Sequence, residues 1–364
     1  MKPLAFAVVV LVLGSPPRPS NAQDRGSHAA EQARDPDSTS LAGRVLRLAE
    51  KVESATEPDR LDGPETLAFA PVLGGLRRGA SLTAGVRFIP YRDRAVMTAL
   101  EASASIRAYW GVAGLVGYRR GRWLTRAFAR YRYMPQEDFY GIGPDVTRDD
   151  RSDYLNRDVL AGGLVGIRPF RRALVGVHAS YLANNPGRGR DHDVPDLGDA
   201  FSPESVPGFG TDTRYGVLGL WLEWDGRNVP YEGAFGSRFT PARERPMNMS
   251  FTASRGLYFS VDLRRYQQLQ GGAYDFYEAE LEAQQYIPFH FGDHVLAFRE
   301  NLAMTSPDGG DRVPFYLFPT LGGSRTLRAY HAFLFRDRGA LVGNAEYRWN
   351  GLPFIQPALF LDAG

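Results

Sequence analysis

The chain contains no cysteine, which removes structural disulfides, thiolate metal sites and thiol nucleophiles together. Lysine is nearly absent as well: Lys2 and Lys51 are the only two, so almost all of the 43 basic residues are arginines. Charge of one sign is missing too, because 43 basic residues face 41 acidic ones for a formal net charge of +2. That balance gives no basic surface of the kind that steers nucleic acid, and no nucleic-acid partner is expected. Long apolar runs are also scarce. The only pronounced one, Leu4 to Leu13, falls well short of the ~20 residues that a helix needs to cross a bilayer.

What the chain does have is 40 glycines, 18 tyrosines and 22 phenylalanines among its 364 residues. Small residues combined with aromatics suit many strands and tight turns better than a helical bundle. At the N-terminus, Lys2, the apolar run and the polar stretch ending Ser20-Asn21-Ala22 have the three parts of a secretory signal. Residues 1–22 are therefore read as a signal peptide cleaved after Ala22. Residues 23–64, rich in Ser, Asp, Arg and Pro, form a largely disordered leader. Within it, Leu41, Val45, Leu48 and Val52 recur at helical spacing behind Ser40, which predicts a short helix over 41–54.

From Thr66 the apolar period becomes two. Tyr277, Ala279, Leu281 and Ala283 alternate with Glu278, Glu280, Glu282 and Gln284, which puts the carboxylates on one strand face and the apolar groups on the other. Leu257 to Arg264 alternates in the same way, and so does Leu124 to Tyr133, where Arg126, Arg130 and Arg132 share a face with Phe128. A soluble sandwich alternates too. Here, however, strands of about ten residues with aromatics near their ends are joined alternately by short and long connections, the mark of a transmembrane barrel. Strands are expected near 66–76, 80–90, 96–107, 109–119, 123–134, 155–168, 172–184, 213–225, 256–268, 274–287, 294–304, 339–350 and 353–363. The turns at 119–122 and 169–172 then face the periplasm, and long polar loops at 135–153 and 185–212 face outside. The long connection at 226–255 breaks this pattern.

Between the eleventh and twelfth expected strands lies Gly322-Gly323-Ser324-Arg325-Thr326-Leu327-Arg328-Ala329-Tyr330. The stretch resembles the inward-folded loop of the outer-membrane assembly and secretion barrels, the superfamily of BamA, TamA and the two-partner secretion translocators. Of that loop's V/L-R-G-F/Y signature, Leu327, Arg328 and Tyr330 match, and Ala329 stands where the family has Gly. Phe360-Leu361-Asp362-Ala363-Gly364 resembles the family's F-x-D-x-G strand motif, and Phe139 to Asp145 resembles another family segment. The resemblance implies an all-β, antiparallel transmembrane barrel of the sixteen-stranded type in a Gram-negative outer membrane. It also implies that Arg328, folding inward, pairs with Asp362 beside Glu346, with Phe360 and Gly364 on the same wall.

About thirteen strands fit in residues 65–364, an odd number for a bacterial barrel, so the barrel domain is expected to lack its last strands. The leader is too short for the family's periplasmic POTRA repeats. The implied role is insertion or translocation of outer-membrane or secreted client proteins, with membrane lipid as a second partner; the alternative is a passive pore or structural surface barrel. Oligomeric state is not set by the sequence. No cofactor, metal site or catalytic residue is nominated. His290 and His294 sit in an expected turn, where four-residue spacing carries no helical meaning. His178 and Ser180 share a strand face without the geometry of a catalytic triad. An enzyme is not expected. If the inward loop tolerates Ala329 where Gly is usual, the φ of Ala329 is expected to be negative.

Overall fold

A computed structural model describes residues 8–12, 65–73, 76–77, 79–92, 95–228, 253–290, 293–349 and 356–364. The expected helix over 41–54 and most of the 226–255 connection lie outside these residues. The described chain is an antiparallel transmembrane β-sheet of barrel type. Its long strands are β2 (Glu65–Leu73), β3 (Thr83–Arg92), β4 (Val96–Ser105), β5 (Trp110–Arg120), β6 (Trp123–Phe139), β7 (Ser152–Ile167), β8 (Ala173–Arg188), β9 (Thr213–Asp225), β10 (Gly256–Gln268), β11 (Phe276–Phe289), β12 (His294–Pro307), β15 (Gly339–Trp349) and β16 (Gln356–Ala363). Each pairs with the next, and β12 pairs with β15 across the segment that carries the Gly-Gly motif.

The ladder begins at β2, and among the described residues no pairing joins β2 to the far edge. At that far edge Val8–Val12, inside the expected signal peptide, forms a short strand β1 that runs antiparallel to β16, with Val10 opposite Ala358. A chain cleaved after Ala22 would lose β1.

The alternation dictates which face turns in. On β9 the residues Leu218, Leu220, Leu222 and Trp224 are exposed, while Tyr215, Val217, Trp221 and Glu223 are buried. Likewise Leu257 and Leu263 on β10 are exposed, whereas Tyr258, Ser260, Asp262, Arg264 and Tyr266 are buried. Polar residues therefore face the interior and apolar ones face lipid, the reverse of a soluble sandwich. Interior charges are compensated strand to strand. Arg132 is bound to Asp158 on the neighbouring strand, Arg264 reaches Glu278 at 3.3 Å, and Arg299 reaches Glu282 at 2.9 Å. Buried charges persist only when paired.

Three strands run further than the sequence pattern indicates. β6 extends to Phe139, β7 starts at Ser152 and β8 continues to Arg188, into the stretches expected as loops at 135–153 and 185–212. The expectation weighed these residues by polarity. Instead the β6–β7 ladder shifts register between Met134 and Glu137 and then continues through Glu137↔Tyr154, Asp138↔Asp153 and Phe139↔Ser152. Its polar side chains find partners: Glu137 binds Arg77, with one contact at 2.7 Å, and Asp138 accepts from Arg151 at 3.0 Å.

These raised strand ends support an aromatic cap at the long-loop end. Phe139, Tyr154, Leu182, Tyr215, Tyr266 and Phe276 from the strands meet Val313, Phe315, Tyr316, Leu317 and Phe318 from the segment after β12. Phe315 lies edge-on to both Phe139 and Tyr154, at 5.2 and 4.9 Å between ring centroids. The Tyr316 hydroxyl shares a 2.7 Å hydrogen bond with Thr213, so its polar tip is satisfied inside the cap.

Candidate functional site: an inward loop held at three points

After the cap segment the chain makes two short strands, β13 (Thr320–Leu321) and β14 (Phe335–Arg336), which pair with each other and close the neck of a loop spanning 322–334. Neither was evident from the sequence. Gly322 and Gly323 turn the chain out of β13 with φ of 106° and 79°, a region that other L-residues enter only at a cost. A Cβ on Gly322 would lie 2.0 Å from the His331 carbonyl oxygen, so this position needs Gly on steric grounds as well. The turn is tied by Thr326: the Gly322 N–H donates to its hydroxyl at 2.8 Å, and the hydroxyl donates back to the Gly322 carbonyl at 3.1 Å. The Gly323 N–H donates to the Tyr330 carbonyl at 2.8 Å, which brings the two sides of the loop together.

The neck is the first holding point. The Gly143 N–H donates to the Arg336 carbonyl at 2.8 Å, so the Phe139 to Asp145 segment braces β14. The Arg336 guanidinium lies over Phe139, Tyr154 and Phe315, at 5.5, 6.0 and 5.6 Å from their centroids, and donates to the Phe315 carbonyl at 2.9 Å.

The tip is the second. Phe333 is buried and has a positive φ of 66°, an outlier for an aromatic residue. Its ring lies 5.2 Å beneath the Arg77 guanidinium, and a Cβ built on Gly79 would sit 3.4 Å from that ring. Arg77 is itself anchored to both oxygens of Glu137, and one of them, Oε2, also accepts from the Tyr154 hydroxyl at 3.1 Å. The tip thus reaches the β2–β3 hairpin, at the opposite end of the strand order from β16.

The third point is the densest. Arg328 grips Asp362 through its main chain and side chain together: the backbone N–H and Nε reach Oδ2 at 2.9 Å each, and Nη2 reaches Oδ1 at 2.6 Å. Its Nη1 donates to Glu346 at 2.5 Å. The guanidinium carbon also lies 3.6 Å above the Phe360 ring. Two carboxylates, a fork geometry and an aromatic face are the partners that a guanidinium satisfies and an ammonium does not. Burial opposes the charge of Arg328, but the bonds to Asp362 and Glu346 outweigh it and hold the guanidinium pKa above its ordinary value.

The clamp continues into the wall. Asn344 donates to both Asp362 and the Thr326 carbonyl at 2.8 Å. Arg299 donates to the Arg325 carbonyl at 3.3 Å, to Asn344 at 3.2 Å and to Glu282 at 2.9 Å. Arg348 binds the second oxygen of Glu346 at 2.8 Å. The loop is therefore bonded through β16, β15 and β12 to β11.

The structure brings together Leu327, Arg328, Phe360, Asp362, Glu346 and Gly364. Leu327 is buried, and a Cβ on Gly364 would lie 3.3 Å from it and 3.0 Å from Leu321. Ala329 is not among the residues of positive φ, so its backbone accommodates Ala without strain. Tyr330 is not part of the clamp: it is partly exposed and packs edge-on against Phe335 at 5.3 Å. Arg325 contributes its carbonyl, accepting from Arg299. The His178 ring nitrogen Nε2 lies 3.1 Å from Asp262. Sequence reasoning missed Arg299, Thr326, Phe333 and Arg336. Nothing local in the sequence pairs Arg299 with the loop.

Residues 244–364 match the Omp85 superfamily domain. The loop, Glu346 and the Phe360–Gly364 motif all lie within that stretch. Among solved structures, BamA from Haemophilus ducreyi, in a form lacking POTRA domains 1-3, is similar with a TM-score of 0.57 at 13% identity, over 88% of this chain. The chain spans 65% of the length of that BamA chain. CdiB from Acinetobacter baumannii is matched over 83% of this chain and 50% of its own, at 11% identity and a TM-score of 0.45. No curated protein matches. The likeness to BamA is one of fold, and it extends the barrel architecture across nearly all the described residues.

Proposed function

We propose that this chain is an outer-membrane barrel that inserts or translocates β-rich client proteins, with its long-loop end outside the cell and its short turns in the periplasm. The observation that carries this reading is the grip of Arg328 on Asp362 and Glu346, within the stretch that matches the Omp85 domain. The inward loop connects the two ends of the strand order, since its tip packs against Arg77 and Gly79 while its Arg328 holds β16. Strand edges present unpaired N–H and C=O groups, and an incoming strand satisfies them by β-augmentation. In this reading the loop keeps the β2–β3 hairpin and β16 in fixed relation until a client arrives. Export uses the N-terminal signal, and β1 leaves with it. The chain acts without catalytic chemistry.

Reconstitution in liposomes tests the proposal. The full chain should accelerate the folding of an added β-barrel client, and Arg328→Ala together with Asp362→Ala should abolish the acceleration. Large, steady ion conductance that the same substitutions leave unchanged, with no effect on client folding, would overturn the proposal in favour of a passive pore.

A further inference from the structure

The lipid-facing surface carries one feature that apolar packing alone does not account for. At the short-turn end of β11, β12 and β15 the outward positions are Ile287 and Phe289, then His294, Leu296 and Phe298, then Tyr347 and Trp349. Cross-strand register sets Phe289 opposite His294, and His294 opposite Trp349. The His294 imidazole consequently sits at the centre of a ring assembly, stacked with Phe289 at 5.3 Å, Tyr347 at 5.7 Å and Trp349 at 6.0 Å. His290 meets it edge-on at 5.2 Å.

The polar atoms of this assembly define its chemistry. His294 Nδ1 shares a 2.6 Å hydrogen bond with the Tyr347 hydroxyl, which fixes the ring. Its Nε2 has no protein partner among the described residues. An imidazole on an outward-facing strand position is costly in hydrocarbon and tolerable only at the water interface, where aromatic girdles also sit. Once protonated, it gains from surrounding π faces and presents an N–H with charge behind it, the donor that a phosphodiester oxygen accepts. The neighbouring wall does not neutralise it. Arg348 on β15 is buried and faces Glu346 in the interior, the β11 neighbours Ile287, Pro288 and Phe289 are uncharged, and the acidic group of the same turn is Asp293.

We propose that His290 and His294, framed by Phe289, Tyr347 and Trp349, form a lipid-facing site for the phosphate of an anionic phospholipid headgroup at the short-turn rim of the barrel. The aromatic rings lie along the first acyl carbons, and the imidazoles hold the phosphate.

Native mass spectrometry of the full chain, released from detergent micelles containing phosphatidylglycerol or phosphatidylcholine, tests the site. The expected result is several-fold greater retention of phosphatidylglycerol than of phosphatidylcholine, reduced severalfold by His290→Gln with His294→Gln and partly by Tyr347→Phe. Equal retention of the two lipids, or retention of phosphatidylglycerol that the histidine variants leave unchanged, overturns the proposal. Displacement of phosphatidylglycerol by millimolar inorganic phosphate also overturns it, because the site would then belong to a free anion. Heat-dependent gel mobility verifies that each variant is folded. Client folding by the histidine variants should match the unmodified chain, so this test and that of the proposed insertion role fail independently.

Discussion

The two walls of this barrel are built differently. Along β10, β11, β12, β15 and β16 the interior is a continuous bonded surface: Arg264–Glu278, Arg299–Glu282, Arg348–Glu346 and Arg328–Asp362 are all formed from buried or mostly buried groups. Along β2 to β5 the buried positions include Ala70, Thr83, Ile89, Met97, Ala99 and Ser103. The inter-strand ion pair on that side, Arg87–Glu101, is 35% and 26% exposed. One wall is cross-linked by side chains and carries the loop. The other has its long-loop rim held by Arg77, Arg107 and Phe333. In the proposed role, the wall whose ion pair is more exposed is the one expected to open locally at lower free energy.

The largest effect should come from breaking the rich wall at its centre. Arg328→Ala leaves Asp362 and Glu346 without their shared cation and removes the ring contact with Phe360; breaking one partner of a buried pair costs about 3 kcal/mol. Urea titration in detergent should show that loss, and a double-mutant cycle with Asp362→Ala should be non-additive by more than about 1 kcal/mol. Simple additivity would mean that the clamp contributes no coupling and that the two walls differ in appearance only. Next in size is Phe333→Ala at the far end of the loop, which forfeits a buried ring and a cation–π contact for about 2 kcal/mol. Its signature is local: amide exchange should quicken in β2 and β3 while β15 and β16 stay protected. Equal loosening of both walls would contradict the separation drawn above.

Much of this was legible from the residues. Alternation of Glu278, Glu280 and Glu282 with Ala279 and Leu281 fixes parity, and parity places every clamp partner on the interior face. The motif pair Leu327-Arg328 and Phe360–Gly364 supplied the clamp itself through resemblance, since a period of two says where Arg328's partners face and not which of them it meets. The extended ends of β6, β7 and β8 were hidden because residues such as Glu137 and Asp138 read as loop by polarity, although partners far away in the chain, Arg77 and Arg151, satisfy them. Phe333 was hidden for a related reason: a positive φ on an aromatic residue is imposed by tertiary packing and has no local signal. Ala329 shows the opposite case. Gly in that slot has a conformational meaning only if φ is positive, and it is not. Ala329→Gly should therefore bring no gain in loop packing and should cost about 0.5–1 kcal/mol through added freedom of the unfolded chain, read as a small fall in urea midpoint.

The smallest effect is assigned to the sparse wall, and it sharpens the comparison most. Arg87 reaches Glu101 at 2.7 Å, as short as contacts in the clamp, so a reading based on distance alone would rank the two together. Exposure ranks them differently. Water solvates both groups once they separate, and exposed ion pairs contribute between about 0 and 1 kcal/mol. Arg87→Ala should shift the urea midpoint by less than about 0.5 kcal/mol equivalent, and the shift should shrink further in 0.5 M salt, since screening acts on exposed charges and much less on buried ones. The Arg328→Ala effect should persist at the same salt concentration. A salt-sensitive loss at Arg328, or a salt-resistant loss of several kcal/mol at Arg87, would reverse the assignment of strength to the two walls.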